Sequence, residues 1–420
     1  MRAFGKYKHK KAYSKLLFAC CLFYMFNIAL KLSYGVQMVA IIDDFGTTNS
    51  QVAVGLTIYY VIYAVVQVAL AFIITRINIR RLLIYTTILT CISFSFIGVC
   101  NELWQLCLLY SVNGIFHAGA WGTISYIFGK NLPGETLSFA NKIITNCFAI
   151  GNALSYLVSS IFIHYLSWKF TFVFFSVLYL LSMLYMLIQT NKTEKLLQVE
   201  KEDDVVVVDD IHKGYCIPKE KKFNVVGVVI LLCVISFVAN NLAYGINNWI
   251  PSLLTDEHNF PMSLSIFISL FMPIVSVFAN YFAMGIFDRK GKILSVTNVI
   301  GLMSIALLGV MVFLYDWNLI FAILMSAGLR FITTSYLAGY GGYTMMKFKY
   351  HINTGTANLI INSAASIGAG VGPLLTGLIL DVFDWKAYYI FLIMLCSIGV
   401  IIGVIGSLVI KKKKNIVGYI

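Results

Sequence analysis

Two cations interrupt long apolar runs of this 420-residue chain: Lys31 in KLSYGVQM and Arg330 in SAGLRFITT. A charge at the centre of a bilayer span costs about 2.5–3.5 kcal/mol on insertion scales, so such a residue is a functional hypothesis by default. Snorkelling is the ordinary alternative. At 1.5 Å per residue, the nearer end of the Lys31 run is about 16 Å away, more than the side chain spans comfortably. All eighteen acids lie at run ends or in loops, Asp43, Glu102, Asp256, Asp288, Asp316 and Asp381 among them. Two mid-run cations therefore lack an acidic partner at their own depth, and the missing negative charge is most economically a small anionic substrate. The same pattern disfavours a buried carboxylate proton relay and an acidic site for cationic cargo. His117 could carry a proton or be a packed, hydrogen-bonded core residue, and the sequence leaves both readings open.

Spacing groups further residues with these cations. Asn27, Lys31, Tyr34 and Met38 follow i, i+4, i+7, i+11 and share one helix face. Phe237, Asn241, Tyr244 and Asn248 repeat the spacing 210 positions later. Polar stripes on otherwise apolar helices are expected to face a protein interior or a water-filled cavity.

The elements that must position these residues are membrane spans. The chain is 60% hydrophobic and 12% charged, against about 25% charged in a soluble domain. Twelve runs approach the roughly 20 residues a spanning helix needs. Of the 31 Lys and Arg, 27 fall on one side of the resulting topology. This bias predicts cytoplasmic termini and a plasma-membrane, multi-pass protein, and it accounts for the net charge of +13 without nucleic acid. The polar stretch at 191–223, which carries EKEDDVVVVDD, separates six spans in 1–190 from six in 224–420. Ala140-Asn141, Ile143-Ile144, Gly151 and Trp168-Lys169 recur 217 residues later as Ala357-Asn358, Ile360-Ile361, Gly368 and Trp385-Lys386. The predicted fold is an all-α membrane protein of twelve helices in two pseudo-symmetric six-helix bundles. The same offset equates Arg330 with Asn113, so both are expected to face a cavity. Basic loops follow the second span of each half, with Arg76, Arg80 and Arg81 in one and Asp288, Arg289 and Lys292 in the other. These are expected to act as gating loops, an acid such as Asp288 meeting helix N-termini or arginines of the neighbouring bundle.

Twelve spans, two halves, a central linker and a loop of the G-x-x-x-D-R-x-G-R-R type resemble the major facilitator superfamily. The resemblance implies a substrate site near mid-bilayer between the bundles. More narrowly, AYGINNWIPSLL from Ala243 is similar to the R-Y-G-x-x-D-W-x-P-x-x-L of the organophosphate:phosphate antiporters, with Tyr244, Gly245, Trp249, Pro251 and Leu254 in register. GIFHAGAWG resembles that family's G-x-x-Q-G-x-G-W-P and keeps Trp121, and GTANLIINSAASIGAGVGPLL resembles its glycine-rich eleventh helix. The family's phosphate-holding arginine on the seventh helix is Ala243 here, its Gln-Gly is His117-Ala118, and Lys31 stands near the position of its first-helix arginine.

The expected activity is transport of a small organic anion, a phosphate ester or a carboxylate, by alternating access. The resemblance adds exchange against inorganic phosphate as counter-substrate. The expected substrate contacts are Lys31, Arg330, Asn27, Tyr34, Asn241, Tyr244, Asn248, His117 and Trp121, with no cofactor and a monomer in the lipid bilayer. A membrane sensor of an external sugar phosphate on the same fold is the alternative. An enzyme is not expected: there is no nucleophile–base pair, metal-ligand spacing or phosphate loop, and the nine cysteines include no C-x-x-C.

Overall fold

The computed structural model describes residues 10–73, 77–132, 134–203, 225–290, 293–338 and 354–412. Among these residues the protein is helical. The first half holds α1 (Lys10–Val36), α2 (Met38–Phe45), α3 (Asn49–Ile73), α4 (Ile79–Phe96), α5 (Leu103–Asn131), α6 (Gly134–Tyr165) and α7 (Lys169–Asp203). The second holds α8 (Val225–Asp256), α9 (Met262–Ser269), α10 (Phe271–Lys290), α11 (Ile293–Leu314), α12 (Leu319–Ala338), α13 (Thr354–Val382) and α14 (Trp385–Lys412). With α1–α2 and α9–α10 each forming one broken rod, these make twelve crossing segments in two bundles.

Among the described residues, nine helices are long and apolar enough to cross a membrane and two shorter apolar ones accompany them. The twelfth segment, α5, is diluted by polar residues, and Ser111, Asn113, His117 and Thr123 on it are all buried. It is less apolar because much of it faces protein rather than lipid. Large apolar side chains such as Phe72, Phe278, Phe313 and Ile320 are exposed on the outside, as a lipid-facing surface requires. Helix α7 continues to Asp203, well into the polar stretch that separates the halves.

Local chemistry sets the breaks. The Asn78 side chain caps α4 by accepting from the backbone N–H groups of Arg80 and Arg81 at 3.1 and 3.2 Å. Gly46 ends α2 in the left-handed conformation, φ 60°. Pro251 lies inside α8 and supplies no N–H for the carbonyl four residues earlier. That carbonyl, Asn247 O, instead accepts from Tyr156 Oη of α6 at 3.0 Å, while Asn247 Nδ2 donates back to Tyr156 Oη at 2.9 Å.

The repeat read from the sequence has a structural counterpart. A side chain at Gly151 on α6 would clash with the backbone carbonyl of Met25 on α1, and one at Gly368 on α13 would clash with that of Phe237 on α8. Each half thus uses the equivalent glycine to bring its first and fifth crossing segments into backbone contact.

The halves meet along two flanks. On one, α3 and α13 run antiparallel. The Asn49 and Ser50 N–H groups donate to Asp381 at 2.9 and 3.0 Å, Thr57 Oγ1 to Gly370 O at 2.8 Å, and Asn362 Nδ2 to Gln67 Oε1 at 2.7 Å. On the other, α6 meets the second half through Tyr156–Asn247, through Ser160 Oγ donating to Ser263 O at 2.9 Å, and through Asn146 Nδ2 donating to Tyr281 Oη at 3.0 Å.

Candidate functional site

Lys31 is 7% exposed, and its ammonium sits over three phenol faces of α3. The distances from Nζ to the ring centroids are 3.9 Å for Tyr63, 4.9 Å for Tyr60 and 5.8 Å for Tyr59. Each lies within the roughly 6 Å over which an aromatic face attracts a cation. The backbone carbonyl of Lys31 accepts from Tyr110 Oη at 2.8 Å, which ties that turn of α1 to α5. The head group therefore stays within the protein.

Around this cage lie other residues expected from the sequence. His117 is 1% exposed; its Nδ1 is hydrogen-bonded to Tyr59 Oη at 2.8 Å, and its Nε2 has no partner among the described residues. Asn27 Nδ2 donates to Tyr179 Oη at 3.0 Å, and the Tyr179 ring lies 6.2 Å from the His117 ring. Trp121 tilts against Tyr24 at 5.4 Å between centroids. Asn27, Lys31 and His117 thus belong to one contiguous aromatic and polar cluster.

Tyr60 carries this cluster across to the second half. Its ring meets Tyr244 of α8 edge-on at 5.7 Å. Arg330 of α12 is 8% exposed, and its Nε donates to Ser276 Oγ of α10 at 2.8 Å. Thr334 Oγ1 reaches the same hydroxyl at 3.3 Å. Neither Lys31 nor Arg330 forms an ion pair among the described residues. A guanidinium carries five N–H donors in a fixed fork, and Ser276 engages one nitrogen, so the other two can receive a planar or tetrahedral anion.

Other expected contacts take different places. Tyr34 is fully buried within the first half; its hydroxyl donates to Val52 O at 2.8 Å and its ring stacks on Tyr110 at 4.2 Å. Asn248 lies against Gly35, where an added side chain would meet it at 2.9 Å. Asn241 is 1% exposed, and neither side-chain heteroatom has a partner among the described residues. Asn113, the repeat equivalent of Arg330, points instead into its own half, donating to Ser93 Oγ at 2.9 Å.

Of the loop residues, Arg76 and Lys292 and the side chains of Asp288 and Arg289 lie outside the described set. Arg80 pairs with Glu194 of α7, which Lys130 Nζ of α5 also reaches at 3.0 Å. These residues, with Asn78, Tyr126 and Thr190, line a cavity of about 420 Å³. Arg81 is exposed. This described part of the first loop thus bonds within its own half.

The sequence reading missed the tyrosine cage. Its only signal is YYVIY, which places Tyr59, Tyr60 and Tyr63 at i, i+1 and i+4 of one helix. It also missed Ser276 and Gln67, each a single polar residue in an apolar run.

The comparisons with known proteins agree with this architecture. No curated protein matches the sequence. Among solved structures, a bacterial homologue of the human lysosomal transporter Spinster, inward-facing and occupied, is similar at TM-score 0.75 and 16% identity. The match covers 94% of this chain and 96% of that one. The unoccupied form of that homologue gives TM-score 0.69 and 16% identity, covering 95% and 96% of the two chains. A variant of the nucleoside transporter NupG gives 0.68 and 12%, covering 93% and 99%. At these identities the likeness shows the fold. The sequence profile described as Major Facilitator Superfamily matches residues 16–348, most of the length, and the chain belongs to that superfamily of membrane transporters.

Proposed function

We propose that this transporter carries a small organic anion by alternating access, with Lys31 and Arg330 as its charged contacts. The observation that carries the reading is that both cations are buried, one in each half, and neither pairs with a carboxylate among the described residues. The tyrosine faces offset part of the charge of Lys31, and Ser276 engages one nitrogen of Arg330. An anion held between them would complete both environments. His117 Nε2 and the Asn241 amide, buried without partners, supply hydrogen bonds to the uncharged part of such a ligand. Tyr244, against the Tyr60 ring, and Trp121 complete the contacts.

The substrate class is a phosphate ester or a carboxylate, and exchange against inorganic phosphate is the mode suggested by the resemblance of the α8 segment to organophosphate antiporters. Ala243, in place of that family's arginine, is buried at 1% exposure, so Arg330 would supply the second cation from α12. The division into 1–190, 191–223 and 224–420, cytoplasmic termini in the plasma membrane and a monomeric unit complete the proposal. The basic loops at Arg76, Arg80 and Arg81 and at Asp288, Arg289 and Lys292 are assigned to gating.

Two measurements test it. In a thermal-shift screen of purified protein, phosphate esters or carboxylates raise the apparent melting temperature, because a ligand of the native state stabilises it. In proteoliposomes the stabilising compound is taken up, and Lys31→Ala and Arg330→Ala abolish uptake while still inserting. Wild-type rates in both variants would defeat the site assignment.

A further inference from the structure

A chain of contacts leads from the Lys31 cage to the seam between the halves. The ring nearest the ammonium is Tyr63, 3.9 Å away. One helical turn on, Gln67 Nε2 donates to Tyr63 Oη at 2.9 Å. Gln67 Oε1 in turn accepts from Asn362 Nδ2 of α13 at 2.7 Å. Gln67 is 1% exposed, so each end of its amide has one protein partner and little water to replace it. Asn362 is exposed. The pair is the opposite end of the α3–α13 contact from Asp381.

We propose that Gln67 is a positioning residue for the Lys31 site, holding the Tyr63 ring under the ammonium only while Asn362 of the other half engages its carbonyl. A buried amide that loses one partner leaves an unsatisfied acceptor, which favours reorientation. When α3 and α13 part at this end, Gln67 turns to find another donor, Tyr63 loses its hydroxyl partner, and the lysine is released from its closest face. The position of the halves thereby sets how firmly the cage holds Lys31. Any consequence for cargo rests on the proposed function. The coupling does not, and its test uses no cargo.

The test is reductive methylation of Lys31 in the intact, purified protein with formaldehyde and dimethylamine-borane, followed by peptide mass spectrometry with Lys169 as internal reference. Tyr63→Phe keeps the ring and removes the hydroxyl, and Asn362→Ala removes the donor from the other half without touching Lys31. Each is expected to speed Lys31 methylation about fivefold, the change that about 1 kcal/mol produces. The double variant is expected to be no faster than either single one, as for members of one linked unit. Asn362→Gln, which restores a donor, is expected to return the rate to within about twofold of wild type. A wild-type rate in Asn362→Ala, or effects that multiply in the double variant, overturns the proposal. Uptake assays on the same variants bear on the transport reading alone, so the two can fail separately.

Discussion

The surroundings of Lys31 and Arg330 solve the same problem differently. Lys31 rests on ring faces at 3.9 and 4.9 Å from Tyr63 and Tyr60, while Arg330 is fixed by a hydroxyl, Ser276 Oγ at 2.8 Å. A ring face attracts a cation without using its N–H donors and is worth about 0.5–2 kcal/mol. A hydrogen bond to a charged group is directional and worth about 1.5–3 kcal/mol. The lysine is thus held loosely and can move toward a ligand. The arginine is aimed, with one nitrogen fixed so that the rest of the fork keeps its orientation. In the proposed anion site, one contact would be adaptable and one oriented, contributed by opposite halves.

The sharpest way to break this contrast is to exchange the cations. Arg330→Lys keeps the charge and loses the fork, so uptake is expected to fall by about 30-fold or more in a proteoliposome assay. Lys31→Arg keeps a cation that still stacks on phenol faces, and is expected to fall less than about fivefold. Equal losses would show that orientation is not what separates the sites. Ser276→Ala is next. Loss of about 1.5 kcal/mol of aiming should raise the KM for uptake about tenfold while leaving Lys31 methylation unchanged. The smallest effect belongs to the cage. Tyr60→Leu removes a ring face and should raise KM roughly threefold to fivefold. Tyr60→Phe keeps the ring face and should raise KM less than Tyr60→Leu does. A Phe variant as impaired as the Leu variant would mean that the hydroxyl, and not the face, serves the site.

Lys31 and Arg330 were legible because a charge inside an apolar run violates the bilayer's solvation rules wherever its helix packs. Tyr59, Tyr60 and Tyr63 were not, because a phenol satisfies those rules whether it faces lipid, core or cation. Periodicity placed Asn27, Lys31 and Tyr34 on one face of α1. It could not show that Asn27 would bond Tyr179 and Tyr34 would bond Val52 while Lys31 met the faces of Tyr59, Tyr60 and Tyr63. One face of a helix touches several neighbours. The 217-residue repeat likewise equated Arg330 with Asn113, yet one reaches Ser276 and the other Ser93. A repeat preserves backbone placement, and local substitutions redirect the side chains.

By itself, the sequence determined the spans, the two halves and the absence of an acid at the depth of either cation. All three depend only on where residues fall along the chain relative to a bilayer of known thickness. The tertiary structure alone decided which groups surround each cation, and that Tyr60 and Gln67 lead from the Lys31 cage to the second half. A helix fixes the direction of a side chain from its own axis. What stands in that direction is set by how closely other helices approach, as at Gly151 and Gly368, where two backbones touch.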